Sequence, residues 1–153
     1  MEVSVVNKSI GRLVSILHRQ SQIYINYALK EFDVTSAEYF FLFCLYHNDG
    51  LTQEEMSSIL YIDKAATARA IKSLEQKGYV IRNKDAEDKR VNRVFLTEKS
   101  KGSLEEIRRR VFRWSELLTE DLDPQTANLV YDAMESMVNK VENFNYKQNR
   151  EEV

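Results

Sequence analysis

Apolar residues keep a helical period along most of the chain and switch once to a period of two. Ile10, Leu13, Val14, Leu17, Tyr24 and Ala28 form a stripe that predicts a helix over 10–32. Ile16, Ile23, Ile25 and Leu29 lie off that stripe, so this helix is expected to touch partners on several sides. Thr35 with Glu38 reads as a capping box opening a second helix, whose body AEYFFLFCLYH is apolar almost all round, as in a buried central helix that Gly50 ends. Thr52 with Glu55 is another capping box, for a short helix through Leu60 with Met56, Ile59 and Leu60 inward. Asp63 is an N-cap for a helix to Lys77, closed by Gly78.

The period then becomes two. Val80/Arg82/Lys84 and Arg93/Val94/Phe95/Leu96 read as two strands around the polar loop DAEDKR, a β-hairpin. Thr97 can cap a long helix with Leu104, Ile107, Val111, Trp114 and Leu118 inward. Asp123 and Pro124, as N-cap and first helical residue, start a last helix with Val130, Ala133, Met137, Val141 and Phe144 at the same spacing. Two short helices, the turn Tyr61-Ile62-Asp63 between them and a following hairpin make a winged helix-turn-helix. The fold class is mainly α, a winged helix-turn-helix with N- and C-terminal helices on either side.

Composition agrees. Four Gly and one Pro in 153 residues are too few for a sandwich, barrel or propeller, which would need a turn every ~8–12 residues. No run of ~18 apolar residues could span a membrane. The start MEVSVVNKSIGRL lacks a basic region followed by an apolar stretch, so no signal peptide is expected. Cys44 is the one cysteine, which excludes an internal disulfide and a cysteine-built zinc site and fits a reducing cytoplasm. His18 and His47 have no Asp, Glu or Cys cluster at metal spacing, and no metal or cofactor is expected. A Gly-rich phosphate loop, a metal triad and a nucleophile motif are all lacking, so an enzyme is not expected.

Charge changes the picture more. The whole chain carries −2, but residues 61–102 hold 11 Lys/Arg against 6 Asp/Glu, a local +5. That distribution suits an anion-binding module on an acidic scaffold, although a solvated helix and hairpin would give the same numbers. The face of the 63–77 helix is more specific. Thr67, Ala70, Ile71 and Leu74 share its inner side by the 100° rule. Ala65, Ala68, Arg69, Lys72 and Gln76 lie opposite, with Lys64 and Ala66 near the tip. Alanines allow close approach to base edges and thymine methyls, and Arg and Lys reach guanine or phosphate, so double-stranded DNA is the expected partner.

The ordered set Leu74-Glu75-Gln76-Lys77-Gly78, Asp88-Lys89-Arg90 and Leu96-Thr97 resembles the core of the MarR family, the multiple-antibiotic-resistance-type transcriptional regulators. Ser100 departs from the family pattern, where Gly follows Leu-Thr-x-Lys, and a small change at the start of the long helix is expected. The resemblance implies a homodimer with intertwined terminal helices that reads a pseudo-palindromic operator. It also implies that Arg90 at the wing tip enters the minor groove, with Lys89 beside it and Asp88 orienting the wing by pairing with Arg69 or Arg90. Residues 1–50 and 98–153 would then serve as scaffold and dimerisation helices, and 51–97 as the DNA-binding lobe. It further implies a switch responding to small aromatic acids. Arg19 is then a candidate counter-ion, with Tyr39, Phe43 and Trp114 as candidate walls, although those aromatics read equally as core.

The terminal helices support assembly on their own account. Their apolar stripes exceed what residues 51–97 can cover, so a partner chain in a C₂ dimer is the natural cover, with two reading heads about 34 Å apart. A monomeric helical hairpin on the first two helices is the alternative. Cys44 reads as an inert core thiol. Arg108, Arg109, Arg110 and Arg113 read as a solvated face or a dimer salt-bridge strip. The rival functional class is a winged-helix protein-association module without ligand response.

Overall fold

The computed structural model describes residues 9–142. The described residues divide into two compact units, the first ending at Trp114 and the second starting at Ser115. Phe144, the last residue of the expected C-terminal stripe, lies outside the described residues.

The first helix, α1 (Ile10–Ala28), is capped by the Ser9 side chain, which accepts from the Arg12 N–H at 3.2 Å. It stops four residues short of the expected end. A 3₁₀ turn, Lys30–Phe32, follows, and Asp33 takes a left-handed conformation (φ 55°) that turns the chain. Ile25 and Leu29, off the expected stripe, are the buried residues of this segment. Ile10, Leu13, Val14 and Leu17 stay exposed.

Helix α2 spans Tyr39–His47, not 35–47. Half of the expected capping box forms, the Thr35 N–H donating to Glu38 Oε2 at 2.9 Å, but residues 36–38 stay in turn conformation. The other half is replaced by a backbone turn, the Glu38 N–H donating to the Thr35 carbonyl at 3.0 Å, while the Glu38 carboxylate, 4% exposed, also pairs with Lys77. Tyr39, Phe41, Leu42 and Leu45 bury as a central helix should, while Phe40 and Tyr46 remain exposed. Gly50 sits at φ +82°, where a Cβ would come 2.8 Å from the Phe95 ring, so both conformation and space require glycine.

The Thr52/Glu55 capping box is complete on α3 (Gln53–Leu60), with bonds of 2.7 and 3.1 Å. Met56 is buried and Leu60 partly buried, but Ile59, expected inward, is exposed. Tyr61 in the left-handed region (φ 55°) makes the turn. Helix α4 (Lys64–Gln76) is capped by Asp63, and Gly78 at φ +79° follows its end. Thr67, Ala70, Ile71 and Leu74 are all buried, as the spacing predicts.

Strands β1 (Val80–Lys84) and β2 (Asn92–Leu96) pair antiparallel, with Val80 opposite Leu96 and Arg82 opposite Val94. Leu51 adds a single bridge to Val94 on the other edge of β2. Helix α5 (Glu98–Thr119) starts as expected with the Ser100 N–H donating to Thr97 Oγ1 at 3.3 Å. Ser100 is buried, and its hydroxyl donates to the Tyr79 carbonyl, so the departure from the family pattern adds a tie between α5 and the root of the wing. Leu104 and Ile107 complete the core, whereas Leu118 stays exposed. Helix α6 (Pro124–Glu142) begins at the Asp123 cap, which accepts from the Thr126 N–H at 2.9 Å. None of its described residues is buried.

Candidate nucleic-acid interface

Helix α4 owes its position to its cap and its buried side. Asp63 Oδ1 accepts the Ala66 N–H at 2.8 Å, fixing the first turn, while Thr67, Ala70, Ile71 and Leu74 anchor the helix to the core. The opposite face therefore points outward. Lys64, Ala65, Arg69 and Lys72 are exposed, and Ala66 and Ala68 are half-buried at its edges. Lys64 pairs with Glu54 at 3.0 Å, but both side chains are well solvated, so this pair contributes little and is readily exchanged. Arg69 and Lys72 have no ion pair among the described residues, which leaves two cations among small side chains on one helix face.

The wing is built by two aspartates. Asp85 Oδ1 accepts the N–H groups of Glu87 and Asp88 at 2.8 and 3.1 Å, and its Oδ2 accepts from Arg93 Nε. Arg93, then the two loop amides, hold the Asp85 carboxyl down to about 2. Asp88 takes Arg90 in a two-pronged grip, Nε to Oδ1 and Nη2 to Oδ2, both at 3.0 Å, and also accepts the Arg90 N–H at 3.0 Å. This grip keeps the Asp88 carboxyl below its ordinary range. Asp88 thus pairs with Arg90, not Arg69. The Arg90 side chain is 90% exposed, presented at the loop with Lys89 exposed beside it.

Two positioning contacts escape sequence reasoning. Arg93 also donates from Nη1 to the Gly50 carbonyl at 3.0 Å and lies 3.8 Å from Glu55, tying the wing to the start of α3. Glu38, besides Thr35, accepts from Lys77 Nζ at 3.0 and 2.9 Å, fixing the end of α4 to the entry of α2. Burial pushes the Glu38 carboxyl up, but hydrogen bonds from Ser73, Thr35 and Lys77 together bring it below the ordinary glutamate value. No local spacing reveals either pairing, because the partners lie 39 and 43 residues apart.

The candidate ligand residues fall into separate groups. Tyr39 is buried, with its phenol pushed well above the ordinary range by desolvation, and its ring meets Phe43 edge-on at 5.4 Å. Phe43 lies parallel to Phe112 at 6.3 Å, whereas Trp114 packs on Tyr24 at 5.2 Å. Arg19 is exposed on α1 and donates to Ser15. The cation standing over rings of α2 and α5 is Arg108, 4.8 Å from Tyr46 and 5.8 Å from Phe112. Arg110 is not merely a solvated residue: it donates to the Ala28 carbonyl at 2.9 Å and pairs with Glu31 and Glu106, locking α5 onto the end of α1.

The geometry has close counterparts in known proteins. A family model described as "MarR family" matches residues 34–91. An uncharacterized HTH-type transcriptional regulator of Bacillus subtilis, YybA, is 32% identical over 98 residues, 64% of this chain and 65% of that protein. A MarR transcriptional regulator from Methanosarcina mazei Go1 superposes with a TM-score of 0.81 at 38% identity, over 86% of this chain and 94% of that one. The chain belongs to the MarR family. Its short helices, turn and hairpin are accordingly the winged helix-turn-helix of that family, and its relatives are named as transcriptional regulators, not as enzymes. Another MarR-family structure, from Listeria monocytogenes and complexed with a 26mer DNA, matches with a TM-score of 0.82 at 25% identity, over 88% of this chain and 90% of that one. The match to YybA spans slightly under two thirds of that relative's own length.

Proposed function

We propose that the chain is a homodimeric, sequence-specific DNA-binding transcriptional regulator, a repressor released by a small aromatic acid. One observation carries the DNA reading: Arg69 and Lys72 stand exposed among alanines on a capped, core-anchored helix, beside a wing that presents Arg90. In this reading α4 enters the major groove. Its first turn (Lys64, Ala65, Ala66, Ala68) meets base edges and phosphates, Arg69 and Lys72 reach further, and Lys89 and Arg90 reach the adjacent minor groove with Asp88 orienting Arg90. Likeness to the Listeria protein, whose structure holds DNA, supports it.

Residues 51–97 act as the reading lobe, and residues 1–50 and 98–153 supply scaffold and assembly helices. The dimer is supported by Ile10, Leu13, Val14 and Leu17 on α1 and by Leu129, Met134, Met137, Val138 and Val141 on α6, all exposed in the single chain. Two heads on one dimer must match the spacing of a pseudo-palindromic operator, so a ligand that prefers another spacing lowers affinity at both half-sites. Phe43, parallel to the Phe112 ring that Arg108 faces, and Tyr39 beside it are the proposed aromatic surroundings of that ligand, whereas Trp114 packs apart on Tyr24. Its carboxylate is assigned first to Arg108, because that guanidinium already faces aromatic rings, and second to Arg19. A single cysteine, which allows no internal disulfide, is compatible with work in the cytoplasm.

The test is a gel shift against DNA upstream of its own coding region, with selection from random duplexes as the unbiased control. Saturable binding to a two-fold related site is expected, and no preference over random duplex refutes the reading. Adding millimolar salicylate to the complex, with wild type, Arg108→Ala and Arg19→Ala, tests the ligand. Release lost in Arg108→Ala is expected, and release absent or equal in all three removes the aromatic-acid switch as drawn.

A further inference from the structure

A cleft of about 240 Å³ opens at the root of the wing, lined by Gln53 at the start of α3, Arg82 on β1, and Asn92 and Val94 on β2. The strand register puts Arg82, Val94 and Asn92 on the hairpin face that also carries the buried Val80 and Leu96. The cleft thus sits between the start of α3 and the hairpin, next to the point where Arg82 meets α4, its Nη2 3.1 Å from Glu75 Oε2. The Arg82 side chain is two-thirds shielded, and its Nε is buried without a hydrogen-bond partner. The side-chain amides of Gln53 and Asn92 also have no hydrogen-bond partner among the described residues. A guanidinium still one-third exposed, flanked by two amides without partners, is chemistry for an oxyanion.

Which oxyanion follows from the geometry of a duplex. With α4 in the major groove and Arg90 in the neighbouring minor groove, the sugar–phosphate strand that separates the two grooves has to cross the angle between helix and wing. We infer that this cleft seats one backbone phosphodiester of the bound duplex, held by Arg82 with Gln53 and Asn92. The inference rests on the DNA reading above and adds a contact that positions the protein without reading sequence. Glu75 holds Arg82 in the free protein and competes with the phosphate for it.

Fluorescence anisotropy on the selected operator and on an unrelated duplex of equal length, over about 50–200 mM salt, tests this. Arg82→Gln is expected to weaken both DNAs about five- to tenfold and to lower the salt slope by about one. Asn92→Asp, an exposed change that puts an anion into the cleft, is expected to weaken both as well. Glu75→Gln, which frees the cation, is expected to leave binding unchanged or tighten it. An unchanged slope in Arg82→Gln, a loss confined to the operator, or a Glu75→Gln loss matching that of Arg82→Gln overturns the inference, the last because it marks a purely structural ion pair. If Arg82→Gln does not fold, Asn92→Asp decides, and undiminished binding there overturns it. A wild type that binds neither duplex overturns the DNA reading itself, whereas a wild type that binds while the variants match it overturns this seat alone.

Discussion

Glu38 and Lys77 form a shielded ion pair, ammonium to carboxylate at 2.9 Å, that joins the entry of α2 to the C-terminal end of α4. Asp33 lies 3.7 Å from the same ammonium, and Lys99 donates to the Lys77 carbonyl at 2.7 Å, so both ends of this lysine are held. Helix α4 is therefore fixed at its start by a local cap and at its end by a residue from another part of the chain.

Breaking that pair from one side should be costly. Lys77→Met leaves the Glu38 carboxylate buried without its cation, and a loss of about 3 kcal/mol is expected. Urea denaturation of the variant and of wild type measures it, and a loss below about 1 kcal/mol would show that the pair is idle. Because the folded protein holds the Glu38 carboxyl below its ordinary value, its stabilisation is complete above the unfolded value of 4.5 and fades as pH falls through the lower folded one. Glu38→Gln should flatten stability over that acidic range.

At the wing tip, Arg90→Ala should weaken operator binding by about 1–3 kcal/mol, and Arg69→Ala on α4 by a similar amount. The two residues sit on separate elements and share no partner, so their effects should add in the double variant. Titration of each variant against the selected operator checks this. Unchanged affinity in both single variants would mean that the chain reads DNA with another surface.

The Asp85 carboxyl should titrate near 2 by carbon-detected NMR in the intact protein. Arg93→Ala removes the first cause of that depression and should return the value toward about 3.9. The sign fixes the acid behaviour of the loop. Its order is complete above the ordinary aspartate range and is lost as pH falls toward 2, so the Glu87 and Asp88 amides should exchange faster only in strong acid. Normal titration of Asp85 in wild type would contradict the geometry.

For assembly, sedimentation should give a particle of about twice 18.0 kDa. Met134→Arg together with Val138→Glu, both on the exposed apolar face of α6, should shift it to the monomer and weaken operator binding more than tenfold, since one head alone engages one half-site. A wild-type monomer that binds operator tightly would refute the dimer.

What the sequence discloses is what its local spacing controls. Caps at Thr52, Asp63, Thr97 and Asp123 form as read, because each is closed by a backbone N–H three residues on. Thr35 with Glu38 has the same spacing as Thr52 with Glu55, yet its helix starts later, because the Glu38 N–H bonds the Thr35 carbonyl in a turn where the Glu55 N–H bonds the Thr52 hydroxyl. The buried side of α4 was legible in full, whereas that of α1 was not. Periodicity tells which residues share a face, not whether this chain or another covers it, so Ile10, Leu13, Val14 and Leu17 form the expected stripe and yet stand exposed. The wing residues Asp88 and Arg90 were visible as a motif, but Arg93 was not. A strand arginine carries no mark of the carbonyl it will meet 43 residues away.

The contacts running from the Gly50 carbonyl through Arg93 and Asp85 to the loop amides have a thermodynamic consequence. A hairpin tip held only by its two strands would sample many conformations and would lose that freedom on meeting a partner, at about 1–2 kcal/mol for each backbone residue fixed. Here the loop is already tied down before any partner arrives, so most of that entropy loss falls on folding and little on association. Loosening the Gly50 anchor should therefore weaken binding at residues that touch no DNA, through a less favourable entropy of association with the bound contacts left intact.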